Sequence, residues 1–164
     1  MSHTAFIALG SNLGDRQGNL REAISRIGAF GEVKRLSSWF ETEPVEMTDQ
    51  PWFLNAALEL QTDLEPLPLL RGLLSVEQAM GRHREVPKGP RNIDLDLLLF
   101  DNQVINTSEL TLPHPEMHKR RFVLAPLTEI APAVVHPVLR KPVLTLLEML
   151  TDPAEVRRVP SSAE

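Results

Sequence analysis

Cysteine is absent from the 164 residues. No disulfide framework, cysteine-ligated zinc or thiol nucleophile is therefore available, a composition that suits a cytosol and a cytoplasmic protein. No apolar run approaches the roughly 18–20 residues that span a bilayer. The first residues, Met1 to Thr4, enter a strand-like run without a basic region ahead of it, so no signal peptide is expected. Basic excess is also missing. The formal net charge is -5, which argues against a nucleic-acid partner. There is no GxxxxGK followed by Ser or Thr and no GxGxxG after a strand, so neither a P-loop nor a dinucleotide fold is indicated. What is present is an ordinary soluble balance, 42% hydrophobic and 24% charged, which weighs against disorder. With no repeats and no obvious linker, the length suits one domain over residues 1–164.

Thr4 to Leu9 reads as a central strand. Gly10 to Asp15 is a turn, and Leu20, Ala23, Ile24 and Ile27 repeat at helical spacing, predicting a helix from Asp15 to Ala29. Val33 to Thr42 is rich in strand formers and runs into a proline-bounded loop up to Pro51. Trp52 to Gln61 alternates, with Leu54, Ala56, Leu58 and Leu60 on one face and Phe53, Asn55, Ala57 and Glu59 on the other. Pro66 and Pro68 open a second helix, with an apolar face drawn through Leu70, Leu73, Leu74 and Met80. A strand over Ile93 to Phe100 follows a basic loop, then a short strand at Val104-Ile105 and irregular chain over Leu112 to Pro115. Short helices are expected near Phe122 to Ile130 and Val143 to Leu150, and a polar tail frays after Asp152. The strands at Val33 and Trp52 are joined by a loop. That connection predicts antiparallel pairing and an α+β sheet covered by helices.

The chemistry concentrates in Gly89 to Phe100, GPRNIDLDLLLF. Side chains alternate along a strand, so Asp94 and Asp96 share a face about 6–7 Å apart, while Ile93, Leu95, Leu97 and Leu99 turn to the core. Two such carboxylates repel unless a cation lies between them. Mg²⁺ takes one or two carboxylates together with phosphates and waters, which accounts for the pair; a solvated strand face carrying two acids is the plainer alternative. Arg82, Arg84, Lys88 and Arg91 precede the acids, and guanidinium forks match phosphate oxygens. Glu77 falls on the apolar face of its helix, where it either snorkels at the edge of the core or serves a site. Phe53 with Asn55 offers a ring and an amide to a flat heterocycle, or the ring is simply core. His114 lies between two stiff prolines, and His118 to Arg121 form a second basic cluster.

These stretches together resemble a known family. Gly10-Ser11-Asn12-Leu13, Thr42 and Pro44, Phe53-Leu54-Asn55-Ala56, Arg82-x-Arg84, Lys88 to Leu98 and Pro113-His114 are similar to 6-hydroxymethyl-7,8-dihydropterin pyrophosphokinases of folate biosynthesis, from about Ala5 to about Pro137. The resemblance implies a ferredoxin-like, three-layer sheet flanked by helices. It implies transfer of the β,γ-diphosphoryl unit of ATP to the hydroxymethyl group of a reduced pterin, with release of AMP. Carried over, Asp94 and Asp96 resemble ligands of two Mg²⁺ ions. Arg82, Arg91, His114 and Arg120 resemble contacts of the triphosphate. Arg84 resembles a loop residue that moves in when both substrates are bound, and Lys88 falls at another ATP position. Arg82, Arg84 and Arg91 with Asp94 and Asp96 make up the implied catalytic set. Glu77, Leu97 and Thr111 fall at other ATP positions. Phe53 and Phe122 resemble the rings that sandwich the pterin, with Asn55, Thr42, Pro44 and Val45 at its polar edge. The chain departs from the family pattern at Glu109 and Pro115, and its loop before Gly89 is a residue shorter and lacks a tryptophan. Partners are then small molecules, ATP and the reduced pterin, acting on a monomer. A metal-dependent nucleotidyltransferase and a non-enzymatic nucleotide-binding module remain the alternatives.

Overall fold

The structure is a computed structural model that describes residues 2–43, 51–81, 92–151 and 155–159. Its centre is β1 (His3–Ser11), which is apolar on both faces because both faces are covered. Asp15 then caps α1 (Arg16–Ile27), accepting the Gly18 N–H at 3.1 Å. Leu20, Ala23 and Ile27 are its buried residues. The expected strand over Val33 to Thr42 divides into β2 (Glu32–Leu36) and β3 (Phe40–Thr42). The division falls at Ser37, whose Oγ accepts the Ala57 N–H and whose own N–H donates to the Ala57 carbonyl, both at 2.9 Å. Both halves pair with the same side of β4 (Phe53–Thr62), antiparallel.

The next helix, α2 (Pro66–Ala79), buries Leu69, Leu73, Val76 and Glu77. Its buried stripe is therefore rotated from the predicted one, and Leu74 is 38% exposed. The chain continues through β5 (Asp94–Phe100), a small hairpin of β6 (Ile105–Asn106) and β7 (Thr111–Leu112), a 3₁₀ turn over Met117–Lys119, α3 (Arg121–Ile130) and α4 (Val143–Glu148). The tail was expected to fray after Asp152. Instead β8 (Val156–Arg158) pairs with the outer edge of β3, satisfying backbone groups that the edge would otherwise expose. The six-stranded sheet runs β5-β1-β4-β3-β8, with β2 also on β4. Every strand pairing among the described residues is antiparallel.

Helices cover both faces, giving the expected three-layer α+β arrangement. Ala5, Ile7 and Leu9 of β1 pack with α1 and α2 on one side; Phe6, Ala57, Leu98 and Leu99 pack with α3 and α4 on the other. A bulge in the β1–β5 pairing, between Phe6 and Ile7, places Leu97 opposite Ile7 and Leu99 opposite Phe6. The extra residue shifts the alternation. Leu99 thus joins the α3 side, not the face of Ile93, Leu95 and Leu97 as simple alternation predicts. No helix among the described residues is long and apolar enough to cross a membrane.

His3 closes the far end of β1. Its Nδ1 and Nε2 lie 2.7 Å from Asp101 Oδ2 and 2.9 Å from Glu65 Oε2. Hydrogen bonds to Asp101 and then Glu65 raise its pKa above the ordinary histidine value, so the imidazolium with two N–H donors is favoured. A raised folded pKa stabilises fully below the unfolded value, about 6.5, and the benefit fades as pH rises through the folded one. We expect the melting temperature of the protein to exceed that of a His3→Gln variant most near pH 6, with the gap narrowing as pH rises above the ordinary histidine range. A gap independent of pH would remove the charge from this account.

Candidate active site

The site is assembled by cross-strand rows on the α3 side of the sheet. Ala57 belongs to the core on that side, and by alternation Phe53 and Asn55 project with it. Leu95 and Leu97 belong to the opposite core, which turns Asp94 and Asp96 to the α3 side. The register then lines up Phe40, Asn55, Gly10 and Asp94 across four strands, and Ala57, Ala8 and Asp96 in the next row. The amide-bearing strand and the acid-bearing strand are thus separated only by Gly10 and Ala8. A Cβ on Gly10 would lie 2.8 Å from Asn55 Nδ2 and 3.5 Å from Phe53 Cδ1. Glycine is required there by close approach, and it keeps the floor between the two halves low. Gly10 and Ala8 are not among the site residues expected from sequence. A glycine directly after an apolar run, read as a turn, is in fact inside β1.

Asn55 is 7% exposed and Thr42 2% exposed. Thr42 Oγ1 donates to Asn55 Oδ1 at 2.5 Å, and Asn55 Nδ2 reaches the Leu9 carbonyl at 3.4 Å. The amide is therefore fixed in orientation before any ligand arrives. Phe53 beside it is half-buried. Phe122, at the start of α3, packs partly against the α3-side core, and the Arg120 guanidinium lies 5.6 Å from its ring centroid.

At the acid end, the His114 N–H donates to the Leu98 carbonyl at 2.9 Å. Its Nδ1 accepts the Glu116 N–H at 3.1 Å, which assigns the ring proton to Nε2. That nitrogen lies 3.7 Å from Asp96 Oδ1. Burial first, and then the charge of Arg120, depresses the His114 pKa, against the opposing pull of Asp94 and Glu116. Neutral His114 thus offers one directed donor beside the acids. The peptide bond Leu112–Pro113 ahead of it is cis. Glu77 is 3% exposed, and its Oε2 accepts the Leu95 N–H at 2.8 Å. This carboxylate braces β5 between the two acids from the opposite face of the sheet. Leu97 is likewise buried in the core on that face, and Thr111 stands on β7. Glu109 forms a two-pronged pair with Arg71 at 3.0 and 3.1 Å. Asn92 Nδ2 donates to the carbonyl of Met80. Pro44, Val45, Arg82, Arg84, Lys88 and Arg91 lie outside the described residues.

The donor set suits a hard divalent cation that keeps open positions. Asp94 and Asp96 are partly exposed on one strand face. The described residues contain no group of three or more His, Cys, Asp or Glu side chains that would enclose a metal. Mg²⁺ commonly takes only one or two carboxylates and completes its shell with phosphate and water, so the pair fits that ion in company with a polyphosphate.

Comparison with known proteins identifies relatives over most of the chain. The family model described as 7,8-dihydro-6-hydroxymethylpterin-pyrophosphokinase (HPPK) matches residues 6–132. A 2-amino-4-hydroxy-6-hydroxymethyldihydropteridine pyrophosphokinase of Bacillus subtilis is 48% identical over 136 residues, 82% of this chain and 81% of the relative. Its counterpart from Aquifex aeolicus is 41% identical over 139 residues, 85% and 87% of the two chains. Among solved structures, a Plasmodium falciparum HPPK-DHPS with pterin and p-hydroxybenzoate superposes with a TM-score of 0.70 at 16% identity, and so speaks to the fold alone. The match covers 90% of this chain and 42% of that one, so this chain spans less than half of that longer protein. The chain belongs to the 7,8-dihydro-6-hydroxymethylpterin-pyrophosphokinase family.

Proposed function

We propose that this chain transfers the β,γ-diphosphoryl group of ATP to the hydroxymethyl oxygen of 6-hydroxymethyl-7,8-dihydropterin, giving the pterin diphosphate and AMP in folate synthesis. The observation that carries this reading is the row Asn55–Gly10–Asp94. It joins a fixed amide and an aromatic ring to a pair of acids on one sheet face, across a glycine. A flat heterocycle stacked on Phe53 and Phe122, read by Asn55 with Thr42, Pro44 and Val45 at its edge, would lay its substituent toward Asp94 and Asp96. The pterin oxygen attacks the β-phosphorus, the bond from that phosphorus to the α-bridging oxygen breaks, and AMP departs with the oxygen. The hydroxyl proton passes to solvent water, and Asp96 in this reading orients the hydroxyl as it leaves. Asp94 and Asp96 would hold two Mg²⁺ ions, which would supply charge neutralisation for the triphosphate. Arg82, Arg84, Lys88, Arg91, His114 and Arg120 hold phosphate oxygens, and Glu77, Leu97 and Thr111 complete the nucleotide side. Positioning and charge neutralisation supply most of the rate in such transfers. The working unit in this reading is one domain acting as a cytoplasmic monomer.

The test is the nucleotide product. AMP should form only with ATP, Mg²⁺ and the reduced pterin alcohol together. Release of pyrophosphate with adenylate on the pterin would instead identify a nucleotidyltransferase, and MgATP binding without turnover a binding module. Within the same assay, Phe53→Ala should raise the pterin KM about tenfold, from lost stacking and buried area, with the ATP KM nearly unchanged. Equal losses for both substrates would contradict the stacking role.

A further inference from the structure

We infer that Arg157, on the C-terminal strand β8, is a positioning residue for the pterin half of the site and acts through Trp52. The inference rests on the reading above, in which the pterin lies on Phe53 and Asn55. The family model matches residues 6–132, so β8 lies beyond the matched segment. Yet β8 continues the rows of the site: Val156 opposes Thr42, Arg157 opposes Glu41 and Arg158 opposes Phe40, while Thr42 opposes Phe53 and Phe40 opposes Asn55.

Behind the pterin face, four side chains form one knot. The Arg157 guanidinium carbon lies 4.5 Å from the Trp52 ring centroid. Its Nε stands 3.6 Å from Glu41 Oε1, and Arg16 Nη2 takes the other oxygen of Glu41 at 3.2 Å. Arg16 Nη1 also donates to the Trp52 carbonyl at 3.0 Å. Trp52 is thus held by its ring and by its backbone, one residue before Phe53. The entry to β8 is tied as well: the Glu43 N–H donates to the Glu155 carbonyl at 3.1 Å, and the Glu155 N–H to Glu43 Oε1 at 3.0 Å. Among the described residues, Arg157 meets Trp52, Glu41 and Glu155, none of them a candidate nucleotide residue. Its loss should therefore fall on the pterin and spare ATP.

The experiment is steady-state kinetics on Arg157→Ala, Arg157→Lys, Trp52→Leu and the double variant Trp52→Leu/Arg157→Ala, with melting temperatures alongside. Arg157→Ala should raise the pterin KM roughly fivefold, the size of one partly exposed cation–π contact, with kcat and the ATP KM within about twofold. Arg157→Lys should recover only part of this, because an ammonium lacks the planar face that stacks. In the Trp52→Leu background, Arg157→Ala should add nothing. An unchanged pterin KM in Arg157→Ala overturns the inference. So does a uniform loss in all parameters with a lowered melting temperature, or a full-sized effect without Trp52. A wild type that forms no AMP overturns the functional reading and this inference with it; a working wild type with an unaffected Arg157→Ala overturns the inference alone.

Discussion

Asp96→Asn should lower turnover by at least about a hundredfold while the protein stays folded, since on the proposed reading it removes a charged ligand of the Mg²⁺ that offsets the triphosphate, a loss of several kcal/mol of transition-state stabilisation. The asparagine keeps the shape and loses the charge. Asp96 is 35% exposed in its side chain and opposes Ala8 in the sheet, so no core packing depends on it. His114 Nε2, 3.7 Å from Oδ1, would face an amide instead of a carboxylate and could still serve a phosphate. The loss should appear in kcat, with a melting temperature within a few degrees of wild type. AMP formation under saturating MgATP and pterin measures it. A variant working at near-normal rate would mean that the acid pair holds no metal used in the reaction, and the assignment of Asp94 would fall with it.

Much of this site was legible because strand alternation is a strong constraint. Asp94 and Asp96 had to share a face once Leu95 and Leu97 were given to the core, and the same rule paired Phe53 with Asn55. Antiparallel pairing of the strands at Val33 and Trp52 followed from their being joined by a loop and not by a helix. Three features were not legible, each for a non-local reason. Ser37 breaks a strand because its hydroxyl replaces a backbone partner on β4. Leu99 changes faces because of a bulge whose cause lies in the pairing with β1. β8 forms because β3 leaves an edge open, a fact about the sheet and not about the polar sequence of the tail. Glu77 read ambiguously, between snorkelling and site. It braces the acid strand through the Leu95 N–H, a partner that no helical spacing reveals.

Gly10→Ala should weaken pterin binding at least about tenfold with little effect on MgATP binding, although it adds a single methyl group. The new Cβ would meet Asn55 Nδ2 at 2.8 Å, closer than side-chain carbons tolerate. The far end of a side chain often swings aside at small cost. Asn55 cannot do so freely, because it is 7% exposed and its Oδ1 accepts from Thr42 at 2.5 Å. Either the amide tilts and loses the orientation that reads the heterocycle, or β1 shifts against β4 and strains the core. Overpacking of this kind costs about 1–3 kcal/mol, roughly one to two powers of ten in affinity if it falls on the bound geometry. Calorimetric titration of each ligand, with thermal melting as control, separates the two routes. A shifted strand would depress melting and both affinities together, whereas a tilted amide would affect the pterin alone. Wild-type pterin affinity in Gly10→Ala would show that Asn55 is not held where the fold places it, and would leave the amide without a reading role.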